Sequence, residues 1–231
     1  MNMRKYGLWM LLLVLSSSAA VAAPAVTEAG RCCSGTVHGH TLGDWQQLYW
    51  QWLLSGAIPS RVGDVQFMPL PDGTPNDGTG TPENPVIYVG ELSITFRPGT
   101  ALMLPLSDWV GESYTRASMT PDDDPGYPPR DFIVSQSVRL TLDGRPLVDS
   151  RHQRLDRLYS EATYFPAPID YAAPEERAPG IYADAALWVK GLGIVIEAMP
   201  VGRHVLRLDL DAHDGTGYQN TWYITVAPRR R

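Results

Sequence analysis

The chain has 231 residues, 25 acidic and 19 basic side chains, and a formal net charge of −6. An acidic surface disfavours nucleic acid and anionic lipid, which are held through basic patches. The length suits one large or two small domains.

In chain order, Arg4 and Lys5 precede a short apolar run at 8–15 (LWMLLLVL), then small residues ending in Ala20-Val21-Ala22. This is the pattern of a cleavable secretory leader over 1–22, and it predicts export to the periplasm or the medium. The run is shorter than the ~20 residues a membrane helix needs, and no later segment is apolar enough, so no transmembrane span is expected in the mature chain. Residues 23–35 read as a lead-in. They hold both cysteines, Cys32 and Cys33, side by side. A vicinal ring, intermolecular bridges and free thiols all stay open. The body is expected over 36–228 as one β-sandwich domain, with a basic tail at 229–231.

Residues 36–40 (TVHGH) read as a short strand. Next, 41–59 places Trp45, Trp50 and Trp52 within eight residues. Leu42, Trp45, Leu48, Tyr49, Trp52 and Leu53 recur at three- and four-residue spacing, the apolar stripe of an amphipathic helix. Gln46, Gln47 and Gln51 fall on the other side. Thr41 or Gly43-Asp44 starts the helix and Gly56 with Pro59 stops it, giving 42–55. Three indoles exceed what one helix needs, so it is expected to plug a larger body.

Residues 64–85 are rich in proline and Asp-Gly pairs and read as a loop. Strands are then expected at 86–92, 93–96, 101–106 and 134–142, with Pro105 marking an edge or a strand end. Residues 120–130 (TPDDDPGYPPR) and the proline-rich 163–180 read as loops. Residues 148–161 read as a short helix or an irregular crossover. Strands at 185–190 and 193–199 are expected to be broken by Gly191 and Gly193. At 204–210, His204, Leu206, Leu208 and Leu210 share one face, and at 221–226 Trp222, Ile224 and Val226 do the same. The pattern predicts a mainly β fold: an immunoglobulin-like or jelly-roll-like sandwich with one Trp-rich helix packed against it.

Several motifs stand in a characteristic order: W-x(3,4)-W-x-W in the helix, 97–106 (RPGTALMLPL), Leu142-Asp143-Gly144, 157–165 (RLYSEATYF), 200–210 (PVGRHVLRLDL) and a terminal 223–226 (YITV). In this the chain resembles a loosely defined group of exported bacterial proteins with a W-W-x-W helix and an immunoglobulin-like body. The resemblance runs from Val37 to Val226 and implies fold and compartment, with no activity attached. Tyr49-Trp50 stands where the group tends to have two tryptophans, and Cys32-Cys33 lies away from the group's cysteines, so no disulfide role carries over.

Trp50 points about 100° from Tyr49 on an ideal helix. With Trp109 and Trp188 it is a candidate ligand contact. His38 and His40, two apart on an extended segment, are a candidate copper or zinc pair. Asp209, Asp211 and Asp214, beside Gly215, are a candidate calcium set, although the spacing does not match an EF-hand. Arg151, His152, Arg154 and Arg157 form a cationic cluster, read as a counterweight to the acidic surface or a hold for an anion. Hydrolase motifs such as G-x-S-x-G and H-E-x-x-H are absent. The leading expectation is an exported, non-catalytic protein that binds a ligand, glycan or envelope partner through loops. The alternative is a secreted carbohydrate-directed hydrolase using paired carboxylates near an exposed indole, drawn from Asp108, Asp184 and Glu197.

Overall fold

The computed structural model describes residues 26–27 and 36–228, except 116, 117 and 119. The expected leader, the cysteine pair and the basic tail lie outside the described residues, as does most of the lead-in.

The fold is mainly β, two sheets forming a sandwich with one helix laid on the outer face of one of them. That helix, α1 (Leu42–Ser55), is defined by its ends. Thr41 caps it in a capping box with Asp44, and Gly56, with φ 62°, closes it by an N–H bond to the Trp52 carbonyl. Glycine meets this left-handed conformation without a Cβ penalty.

The strands are β1 (Val26–Thr27), β2 (Arg61–Val62), β3 (Val65–Phe67), β4 (Thr74–Pro75), β5 (Val86–Phe96) and β6 (Ala101–Tyr114). They continue with β7 (Ser137–Leu142), β8 (Arg145–Asp149), β9 (Tyr159–Ala178), β10 (Ile181–Ile196), β11 (Gly202–Asp211) and β12 (Thr216–Val226). A short helix α2 (Arg130–Val134) precedes β7. Sheet I runs β1-β10-β6-β3-β2, with β9 also paired to β10, and sheet II runs β4-β5-β12-β11-β7-β8. Among the described strands two pairs are parallel, β5 with β12 and β3 with β6.

Between the sheets lies the main core. Alternate residues supply it: Leu140 and Leu142 from β7, Leu206 and Leu208 from β11, Trp222 and Ile224 from β12, Leu102 and Leu104 from β6. A second cluster lies outside sheet I, where Trp45 and Tyr49 pack on Val65, Phe67, Met103 and Val195. Both rings keep their polar handles satisfied: Trp45 Nε1 donates to the Val37 carbonyl and Tyr49 Oη to that of Met68, each at 2.8 Å.

Four local expectations are corrected. The 163–180 loop is most of strand β9, which pairs with β10 through several irregularities. An edge strand tolerates proline because the missing N–H falls where no partner strand waits. Gly191 and Gly193 do not break a strand; β10 runs through both, beside bulges. Gly191 is required there, since a Cβ would come within 2.2 Å of the Ser107 carbonyl oxygen. The 64–85 loop contains β3 and β4, whereas residues 148–161 form an irregular crossover from the end of β8 to the start of β9 with a 3-10 turn at Asp156–Leu158, one of the two expected forms. Residues 36–40 form a tight turn rather than a strand: Val37 and His40 bond each other's backbones, with His38 at φ 49° and Gly39 at φ 86°.

Candidate functional site

A bulge builds the site. Along β6, Pro105 pairs with Gly193 and Ser107 with Leu192, so Leu106 is the extra residue. One inserted residue reverses the alternation of everything beyond it. Before the bulge Ala101 and Met103 face the helix; after it Asp108 and Val110 do.

The helix meets Asp108 with two donors. Gln46 Nε2 donates to Oδ1 at 2.6 Å and Trp50 Nε1 to Oδ2 at 2.8 Å. Gln46 is fully buried and its carbonyl accepts from the Ser160 hydroxyl of β9. Residues 46 and 50 are one helical turn apart, so this pair forms a polar seam beside the apolar stripe. The expectation that Gln46 faces away from the body is corrected. Burial pushes the Asp108 carboxyl up to about 8, and the hydrogen bonds from Trp50 and Gln46 offset only part of that. The Tyr49 hydroxyl is pushed up as well, by burial first and by Asp108 second.

Asp108 lines a cleft of about 310 Å³ between the two sheets, at the end marked by the β11–β12 hairpin. Leu106, Leu208 and Leu210 form its apolar floor, and Trp109 and Tyr218 its aromatic walls. β3 stops opposite Met103, and past that point the lining passes from Trp109 round to Asp108 and Trp50. Trp109 sits edge-on to Phe132, centroids 6.4 Å apart. Tyr218 stacks on Tyr88 at 5.5 Å. Asp214 reaches the same cleft from the hairpin, where its Oδ1 accepts from Thr216 N at 2.9 Å.

The structure therefore brings Trp50, Asp108, Trp109 and Asp214 together, while the remaining candidates lie elsewhere. Trp188 is 2% exposed, its indole packed against Gly111, where a Cβ would come within 1.8 Å. A ring so enclosed offers no face to a ligand. Asp184 and Glu197 flank Gly191, the register partner of Asp108, at seven and six positions along the chain. At ~3.3 Å per residue each lies roughly 20 Å away, too far for paired-carboxylate chemistry at about 5–9.5 Å. Glu197 meets His38 instead, at 3.3 Å.

The histidine pair does not chelate as an extended segment would. The turn sends His38 to Glu197 and His40 edge-on to Trp45, centroids 4.6 Å apart. The three aspartates also diverge. Asp209 pairs with Arg207, Asp211 caps the His213 backbone, and Asp214 turns into the cleft. Among the described residues no three His, Cys, Asp or Glu side chains gather as a metal would require. In the cationic cluster, Arg151 pairs with Asp149 and Arg154 with Asp156, which also meets Arg130 from outside the cluster.

Sequence reasoning missed Gln46 and Tyr218. The i, i+4 relation of Gln46 to both Leu42 and Trp50 was the available signal for the first. Tyr218 belongs to the inward register of β12, two residues before Asn220 and four before Trp222, which was the signal for the second.

No helix among the described residues is long and apolar enough to cross a membrane. No family model matches the chain, and no curated protein matches it. Among solved structures, the chain is similar to one in the structure of PbICP-C in complex with falcipain-2. Identity is 10%, the alignment covers 71% of this chain and 99% of that one, and the TM-score is 0.26. A superposition that loose transfers neither a site nor a partner.

Proposed function

We propose that the protein is an exported, non-catalytic binding protein, and that its site is the inter-sheet cleft rather than the loops at large. The observation that carries this reading is the convergence of Trp109, Tyr218 and Asp108 on one cleft of about 310 Å³. That volume, apolar walls and few polar points are the ordinary features of a small-molecule site. Export rests on the leader pattern and on the motif resemblance to the exported bacterial group.

The test is a titration of the full chain with small aromatic and aliphatic probes, followed by tryptophan fluorescence. Trp109→Ala should abolish the response while the protein stays folded. Binding unchanged in that variant would overturn the assignment of the cleft.

One observation favours the hydrolase reading: Asp108, with its raised pKa, and Asp214 line the same cleft. Against it, both Asp108 oxygens already accept hydrogen bonds that dock the helix. Hydrolysis of any glycoside that is lost in both Asp108→Asn and Asp214→Asn would favour catalysis over binding.

A further inference from the structure

The cleft carries a charge asymmetry. Two carboxyl groups line it, the Asp214 carboxylate and Asp108, whose proton a cation beside it would draw off, and none of its lining residues is a lysine, arginine or histidine. Three aromatic rings, Trp50, Trp109 and Tyr218, line it too. Ring faces carry negative quadrupole potential and attract cations, most strongly where water is partly excluded. An anionic ligand would meet like charge and find no donor cation. A neutral apolar ligand would fill the volume and leave the carboxylates unused.

We infer that the cleft selects an organic ammonium ion, its apolar body against Trp109, Tyr218 and Leu210 and its charged nitrogen beside Asp108. This rests on the cleft being the ligand site. The geometry admits the contact, because each Asp108 oxygen accepts one hydrogen bond from the helix and a carboxylate oxygen has a second lone pair. Asp214 commits Oδ1 to its own hairpin and supplies negative charge at the rim. An inorganic cation fits less well, since hard cations need six or more oxygens and most of this wall is hydrocarbon.

The experiment is calorimetry of the full chain with three probes of one size: benzylammonium, benzyl alcohol and benzoate, at about pH 8. The ammonium should bind about tenfold tighter than the alcohol, as one cation–π and charge contact would supply, and benzoate should bind weakest. Asp214→Asn, on an exposed hairpin outside the helix seam, should weaken the ammonium several-fold and leave the alcohol unchanged. Equal affinity for ammonium and alcohol would overturn cation selection while leaving the cleft as the site. Failure of all three probes to bind would overturn both readings.

Discussion

The Trp50 indole donates its Nε1 hydrogen to Asp108 Oδ2 at 2.8 Å, joining α1 to the bulged strand β6 across 58 positions of sequence. One residue supplies one of the two donors that seat the helix. The other sits where it does because Leu106 is the extra residue of a bulge. The pair also marks the boundary between packing and site, since both side chains line the cleft.

The first prediction concerns this bond. Trp50→Phe keeps most of the ring and deletes the donor. A partly buried carboxyl then loses one of its two partners, at a cost of about 1–3 kcal/mol. Urea unfolding of the variant should show that loss with an unchanged slope. A purely exposed indole would give no loss.

The second concerns pH. In the folded protein Asp108 is raised from 3.8 to about 8. Between those values the folded state holds a proton that the unfolded chain has released. This contribution is complete below about pH 4, falls as pH rises, and is lost through about pH 8. The slope it adds is at most ~1.4 kcal/mol per pH unit. Asp108→Asn should flatten that part of the stability profile, measured by thermal melts across pH 5 to 9.

His204 supplies a second, separable pH dependence. Its Nδ1 faces Asp143 Oδ2 at 2.8 Å and its Nε2 the Pro200 carbonyl at 2.9 Å. Both partners are acceptors, so the ring is best satisfied with two protons. Burial opposes that charge, but the hydrogen bonds to Asp143 and Pro200 and the Asp143 charge together outweigh it, and the pKa is raised. The stabilisation is complete below the ordinary value of 6.5 and is lost as pH climbs through the raised one. Asp143→Asn should remove this component while the Asp108 slope remains.

Gly111→Ala tests the packing of Trp188. The added methyl would lie 1.8 Å from the indole, so the ring or the strand must shift, at a cost of about 1–3 kcal/mol or more. A calorimetric melt should show a lower midpoint.

Much of the sandwich is legible in the sequence because its core strands obey simple alternation. Leu206, Leu208 and Leu210, like Trp222, Ile224 and Val226, point inward as period two requires. The helix is legible because Thr41, Asp44 and Gly56 are cap residues with direct physical roles. Strand β9 is hidden because its prolines read as punctuation, and only an edge position makes them harmless. The bulge at Leu106 is hidden because nothing local marks an inserted residue, yet it decides which way Asp108 faces. Without that parity change, Trp50 looks free for a ligand when it is already bonded to Asp108. Likewise, two histidines look like a chelating pair until a turn at His38 and Gly39 sends them apart.

Docking of α1 seals the Asp108 carboxyl at the edge of the cleft. The Asp108 13Cγ chemical shift, followed by NMR between pH 3 and 10, reports on that seal. A sealed carboxyl should titrate with a midpoint near 8. A midpoint near 4, the value of a solvated aspartate, would contradict it.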